Sequence, residues 1–197
     1  MKSSPGHFSK IKLGTGRDIE IVHALREVTD APFRVDANAS WSLQQLREFA
    51  PLLRELNVEF IEQPLPAAAL ADMRGVKQEL CLPVIADESC QTEEDVLPCA
   101  DTIHGVNIKL MKCGGITPAL RMIQTARTRG LKVIAGCMTE SSVGISALAQ
   151  LAPLLDFIDA DGALLLAKDL AEGVQFDYGK IRWAKGAGSG VKMSSKI

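Results

Sequence analysis

Lys12, Asp36, Glu62, Asp87 and Lys109 follow one another at intervals of 22 to 26 residues, each at the end of a short apolar run or inside one. Three acids and two lysines with this period can do two kinds of work. Carboxylates brought together repel one another unless a cation sits among them. An all-oxygen donor set without His or Cys suits Mg2+ or a similar hard ion, with positions left over for water or substrate. A lysine beside a divalent cation and a second ammonium has its pKa pushed down, towards a neutral base able to take a proton near physiological pH. Lys10 stands two residues before Lys12, and Asp159 and Asp161 form a second acidic pair late in the chain.

Chemistry of this kind needs elements that bring the charged ends together. The apolar runs are Phe8 to Leu13, Phe33 to Val35, Val58 to Ile61, Pro83 to Ala86, Gly105 to Leu110, Leu131 to Ala135 and Leu154 to Ala160. They are short, rich in Val and Ile and bounded by Gly, Pro, Asp or Asn, which predicts buried strands. Between them, Leu43, Leu46, Phe49, Ala50, Leu53 and Leu56 recur at helical spacing behind Ser40 and Ser42, either of which can cap that helix. Thr117-Pro118 predicts the start of another helix that runs to Gly130. Seven strands, each followed by a helix, predict a parallel sheet with helices outside it. A charge at the C-terminal end of nearly every strand is costly in a packed core, but in a (β/α)8 barrel those ends form the mouth where active sites are built. Asp36 or Asp87 taken singly reads equally well as a helix cap; five charged strand ends in register do not.

On consecutive strands, Asp36, Glu62 and Asp87 would converge. Asn38 and Glu88 are placed to orient that set, or else to cap the following loops. Lys10 and Lys12 share one face of their strand, and the alternating Ile11 and Leu13 suggest that this face looks into a barrel. Lys109 would stand four strands away, across the mouth.

Composition removes other classes of function. The 197 residues carry 22 Lys+Arg against 24 Asp+Glu, so no basic field exists to hold nucleic acid or an anionic membrane. No apolar run approaches the ~20 residues of a transmembrane helix, and the N-terminal residues lack a signal-peptide core. Cys81, Cys90, Cys99, Cys113 and Cys137 are odd in number and include no C-x-x-C pair, which predicts buried or half-buried thiols in a reducing, cytoplasmic compartment. His7, His23 and His104 are scattered and form no ligand pattern.

The motifs Lys10-Ile-Lys12, Val35-Asp36-Ala-Asn38 with Trp41, Ile61-Glu62-Gln63-Pro64, Ala86-Asp87-Glu88-Ser89, Asn107-Ile-Lys109 with Gly114-Gly115, and Asp159-Ala-Asp161-Gly162 together resemble the enolase superfamily. The likeness is to the muconate-lactonizing subgroup, and most closely to its dipeptide epimerases. It runs from about Gly6 to Val191. The resemblance implies an incomplete TIM-type (β/α) barrel over residues 1–184, with 185–197 as a flexible tail. It also implies Mg2+ on Asp36, Glu62 and Asp87, and an enolate formed from a dipeptide such as L-Ala-D/L-Glu. Lys12 and Lys109 would face the α-carbon from opposite sides, Lys10 would add positive charge near the enolate, and Asp159 and Asp161 would hold the substrate ammonium. A muconate cycloisomerase or o-succinylbenzoate synthase would use the same metal and lysines without needing that acidic pair. A catalytically silent barrel fragment is the alternative outside enzymes. The end of the sixth run, which would be the seventh strand of a complete barrel, is Ala135-Gly-Cys137-Met138 and has no histidine, which argues against mandelate-racemase-like members; Cys137 to Ser142 reads as pocket wall or as a structural loop. Family members carry an N-terminal capping domain and a first barrel strand, and on this resemblance the sequence reads as starting just before the second strand. The open strand edges left behind predict a homo-oligomer.

Overall fold

A computed structural model describes residues 9–177 and 179–194. Phe8, His7 and the last three residues of the expected tail lie outside the described residues. Seven strands, β1 (Ser9–Lys12), β2 (Phe33–Asp36), β3 (Val58–Glu62), β4 (Val84–Ala86), β5 (Gly105–Ile108), β6 (Lys132–Gly136) and β7 (Phe157–Asp159), pair in parallel and in chain order. The register sets Lys12 opposite Asp36 and Asp36 opposite Glu62, so the charged ends stand at one level. The sheet is curled: Lys10 on β1 and Asp159 on β7, from the two outermost strands, meet at 3.0 Å. This is the parallel sheet that the strand rhythm predicts, curled into the incomplete TIM-type barrel that the resemblance implies. Among the described residues, β1 and β7 each pair on one side only.

The helices are α1 (Asp18–Arg26), α2 (Leu43–Glu55), α3 (Val96–Ala100), α4 (Leu110–Cys113), α5 (Ile116–Thr128) and α6 (Ser142–Ala149). Ser42 starts α2 through a reciprocal capping box with Gln45, and Leu46, Ala50 and Leu53 present one buried face to the sheet. Ser40 is not the cap; its hydroxyl donates to the Ala37 carbonyl. Ala119, Met122, Ile123 and Ala126 do the same work for α5. These faces pack on Val35, Ile61, Val106 and Val133 in one continuous core. Each such fully buried Leu or Val contributes roughly 1.5–3 kcal/mol.

Three local expectations are corrected. The strands β3, β4 and β7 are followed not by full helices but by 3-10 turns, Ala67–Met73, Glu93–Asp95 (leading into α3) and Gly162–Leu165. Pro66 heads the first, and Pro98 stands in the first turn of α3, where its missing N–H has no acceptor within the helix to lose. The strand expected to reach Leu110 stops at Ile108, because the Cys113 and Gly114 N–H groups bond back to the carbonyls of Lys109 and Leu110 and close α4. Gly114, at φ +93°, ends that helix, and α5 then begins at Ile116 without a side-chain cap. The last strand starts at Phe157; Leu154 belongs to a 3-10 turn.

The segment after β7 forms two small antiparallel pairs, β8 (Ala171–Glu172) with β11 (Lys192–Met193), and β9 (Gln175–Asp177) with β10 (Lys180–Arg182). Part of the expected tail, Lys192–Met193, is therefore strand. At the bottom of the barrel, Nδ1 of His104 accepts from the Val84 N–H at 3.0 Å, a structural use of that histidine.

At the mouth, buried Asp18 ties two loops together. It accepts from the N–H groups of Gly14 and Thr15 and from the Thr15 hydroxyl, and at 2.6 Å from Nε1 of Trp41, the aromatic of the second motif. Burial alone would raise its pKa, but these donors prevail and hold it below the ordinary 3.8. Asp18→Asn is expected to cost about 1–3 kcal/mol at neutral pH, since an amide cannot accept all four bonds. A depressed carboxylate stabilises above its unfolded pKa and ceases to as pH falls through the folded one. The cost should therefore hold from pH 7 to pH 5 in urea unfolding; a difference already absent at pH 5 would contradict this reading.

Candidate active site

The three acids that end or follow β2, β3 and β4 converge. Asp36, Glu62 and Asp87 are all buried, and each offers a carboxylate oxygen within 4.8 Å of the others. Parallel register puts them side by side, and the backbone turns that carry the chain away from them are unusual: Asn38, Ala39 and Gln63 all adopt left-handed φ (46°, 60° and 35°). The donor set contains only oxygen, is shielded from water, and is negatively charged. It fits a hard divalent cation.

Lysines surround it. The Lys10 ammonium lies 2.9 Å from Glu62, 3.3 Å from Asp36 and 3.0 Å from Asp159. Lys12 reaches Oδ2 of Asp36 at 2.6 Å, and Lys109 reaches Oδ2 of Asp87 at 2.6 Å. Lys12 and Lys109 thus bracket the triad from β1 and from the end of β5. Lys109 is buried, whereas 61% of the Lys12 side chain is exposed.

Three contributors were not assigned a role from sequence. Lys112, one turn beyond Lys109, pairs with the other Asp87 oxygen at 2.8 Å. Asn107 is fully buried and donates from Nδ2 to Glu62 at 2.8 Å; its parity with Lys109 along the apolar run was the available signal. Gln63, next to Glu62, bonds the loop after β4. Four ammonium groups (Lys10, Lys12, Lys109, Lys112) therefore face four carboxylates (Asp36, Glu62, Asp87, Asp159).

Burial pushes the Glu62 carboxyl up most, and Asp36 and Asp87 add to it, so that despite Lys10 it rises to about 7. For Asp36, burial is outweighed by Lys10, Lys12 and the Asn38 N–H, and its pKa falls below the ordinary value. Burial would lower Lys10, but Glu62, Asp159 and Asp36 prevail and hold its ammonium above the usual lysine range.

Of the two residues expected to orient the triad, Asn38 touches Asp36 through its backbone N–H at 3.0 Å, with its side chain at the surface. Glu88 has one buried carboxylate oxygen, Oε2, without a hydrogen-bond partner. Asp159 and Asp161 do come together, and Cys137 joins them, each offering a donor atom within 4.8 Å of the others. The Gly162 N–H donates to the Cys137 sulfur at 3.3 Å, and burial raises that thiol to about 11, so it stands as a neutral part of the wall. Beside this pair opens a cavity of about 420 Å3 lined by Lys10, Glu62, Asp159 and Asp161, with Phe60 and Phe157 among its apolar walls.

The chain belongs to the enolase C-terminal domain-like family, whose model matches residues 4–197. It is 54% identical over 195 residues to the L-Ala-D/L-amino acid epimerase of Maribacter sp. (strain HTCC2170 / KCCM 42371), covering 98% of this chain and 58% of that protein. It superposes on a dipeptide epimerase from Methylococcus capsulatus complexed with Mg ion at TM-score 0.90 and 35% identity, covering 95% of this chain and 57% of the other. With the same enzyme complexed with Mg and the dipeptide L-Arg-D-Lys, the TM-score is 0.88 at 35% identity, over 93% and 55% of the two chains. The chain thus spans less than two thirds of the length of these relatives.

Proposed function

We propose that this chain is the barrel of a Mg2+-dependent dipeptide epimerase, an isomerase that inverts an α-carbon through an enolate. The observation that carries the reading is the pair of lysines, Lys12 and Lys109, reaching the buried oxygen-only triad from opposite sides. Asp36, Glu62 and Asp87 would hold the ion. When bound, Mg2+ places positive charge beside the substrate carboxylate and favours the charge that develops there as the α-proton leaves. Lys12 and Lys109 act on the two faces of the α-carbon, one taking the proton and the other returning one. Lys10 keeps a fixed positive charge beside Glu62 and Asp159. Asn107 holds Glu62 from behind, while Asn38 and Glu88 flank the triad. The test is 1H NMR of L-Ala-L-Glu in D2O with Mg2+, where the α-proton signal should fade and the diastereomer appear, and excess chelator should stop both.

Asp159 and Asp161 hold the free ammonium of the dipeptide at the rim of the cavity. A carboxylate pair of this kind wants a cation. Asp161→Asn is expected to raise KM for dipeptides about tenfold, within the range for a charged hydrogen bond, while N-acylated analogues lose little. Equal losses on both substrates would remove the ammonium role.

The five cysteines are free, and no helix among the described residues is long and apolar enough to cross a membrane; on the free thiols we place the protein in the cytoplasm. Among the described residues β1 and β7 are edge strands, whose outer backbone groups invite pairing with a second copy and so favour a homo-oligomer. Sedimentation of the chain should show dimers or larger species; a monodisperse monomer would contradict it.

A further inference from the structure

Gln63 bonds to all three of the loops that carry the acidic triad. Its own loop follows Glu62 directly. Its carbonyl accepts from the Ala39 N–H at 2.7 Å, in the turn after Asp36, and its N–H donates to the Ile85 carbonyl at 2.8 Å on β4. Its side-chain amide is buried and uses every donor and acceptor it has. Oε1 accepts from the N–H of Asp87 itself at 2.9 Å and from that of Ser89 at 3.1 Å. Nε2 donates to the Leu65 carbonyl at 2.7 Å and to the Ser89 hydroxyl at 2.8 Å.

Two donors and two acceptors on one short side chain belong to amides alone. Glutamate could satisfy Asp87 and Ser89 but would turn an acceptor on the Leu65 carbonyl, and methionine offers nothing to any of the four groups. The backbone is held in a conformation that a non-glycine residue adopts at a cost, φ +35°. An extended residue 63 would stand its side chain on one face of the sheet instead of turning it sideways to the β4 loop. The surrounding bonds maintain this strain, and what they fix is the separation between the carboxylate before Gln63 and the one whose N–H it grips.

We infer that Gln63 is a positioning residue of the metal site: it sets the distance and orientation between Glu62 and Asp87, and so the affinity for the divalent ion. The inference rests on the reading of the triad as a Mg2+ site. Residues that orient ligands rather than bind the ion typically account for about 10–100-fold in metal affinity. Here the lever is a whole loop rather than a single carboxylate, because the bond to the Asp87 N–H fixes the backbone from which that ligand projects.

The experiment titrates the full chain with Mg2+ by calorimetry and with Mn2+ by electron paramagnetic resonance, and compares wild type, Gln63→Met and Asp87→Asn. Thermal unfolding in chelator is run alongside. Gln63→Met should weaken both ions about 10–100-fold and alter the bound Mn2+ spectrum, which reports the ligand arrangement. A purely structural glutamine would lower the unfolding midpoint in chelator but leave affinity within twofold and the spectrum unchanged, and that result overturns the inference. If Gln63→Met does not fold, Ser89→Ala removes one of the four bonds and should still weaken Mg2+ about 2- to 10-fold, the factor for one hydrogen bond; unchanged affinity there overturns it as well. Asp87→Asn separates the two levels. If it abolishes binding while Gln63→Met does not affect it, only the positioning role fails. If wild type and Asp87→Asn bind alike, the metal reading itself is wrong.

Discussion

Lys109→Ala is expected to abolish net epimerisation while one epimer of the dipeptide continues to exchange its α-proton with D2O. In the proposed mechanism Lys12, paired to Asp36 on the far side of the triad, stays competent for its own face of the α-carbon, whereas the face assigned to Lys109 loses its proton donor and acceptor. Lys12→Ala should show the mirror preference, with the other epimer exchanging. Loss of a positioned acid–base group typically costs about 10^2- to 10^4-fold, so the inert epimer should be slower by that factor. The measurement is proton NMR of each pure epimer in D2O with Mg2+ present. A cycloisomerase or synthase, needing a single acid or base in its productive step, yields no mirrored pair. If both variants lose exchange with both epimers, or both retain it, the two-base reading is wrong.

Glu62→Gln should weaken Mg2+ by more than about 100-fold if the proposed metal site is right, since there it removes a ligand and not merely a group that orients one. The same residue makes the affinity of the unmodified chain depend on pH. Its carboxyl, raised to about 7 by burial and by Asp36 and Asp87, must lose its proton before it can hold a cation. Each pH unit below about 7 should therefore cost roughly tenfold in apparent Mg2+ affinity, with a plateau above. Stability without metal runs the opposite way. Between the ordinary glutamate value of 4.5 and about 7 the folded chain binds a proton that the unfolded chain has released, so stability falls as pH rises through that window. Asp36 is shifted downwards, below 3.8, and does not titrate there. Glu62→Gln should flatten the slope between pH 5 and 7 in chelator-treated protein. A slope that survives the substitution would assign it to another group, and an unchanged Mg2+ affinity would remove Glu62 from the metal site.

Lys10 spans from Glu62 to Asp159 and so joins the first strand of the sheet to the last across the mouth. The electrostatic contacts that assemble the site also help to hold the curl, although the sheet's two edge strands do not pair with each other among the described residues.

What the sequence determined by itself was the seven strands of the parallel sheet and the residues that end them, not the four short strands β8 to β11 that follow. A strand buried on both faces must be almost continuously apolar, so a Lys, Asp or Glu at its end stands out, and the 22 to 26 residue spacing reveals that all such ends share one side of the sheet. Asp36, Glu62, Asp87 and Lys109 were legible for that reason, and Lys10 and Lys12 followed from strand parity. Tertiary structure decided the rest, because the rest depends on contacts between loops with no period. Lys112 lies on a one-turn helix whose existence hinges on where β5 stops, and only the folded chain shows it reaching Asp87. Asn107 became a partner of Glu62 across two intervening strand pairings, a contact 45 residues apart in sequence. Gln63 looked like part of a motif, yet its left-handed backbone turns the side chain towards the neighbouring loop, and backbone dihedrals of a non-glycine residue leave no mark in composition or periodicity. Strand ends are written in the pattern of polarity; the bonds that hold those ends at a working distance exist only once the sheet has curled.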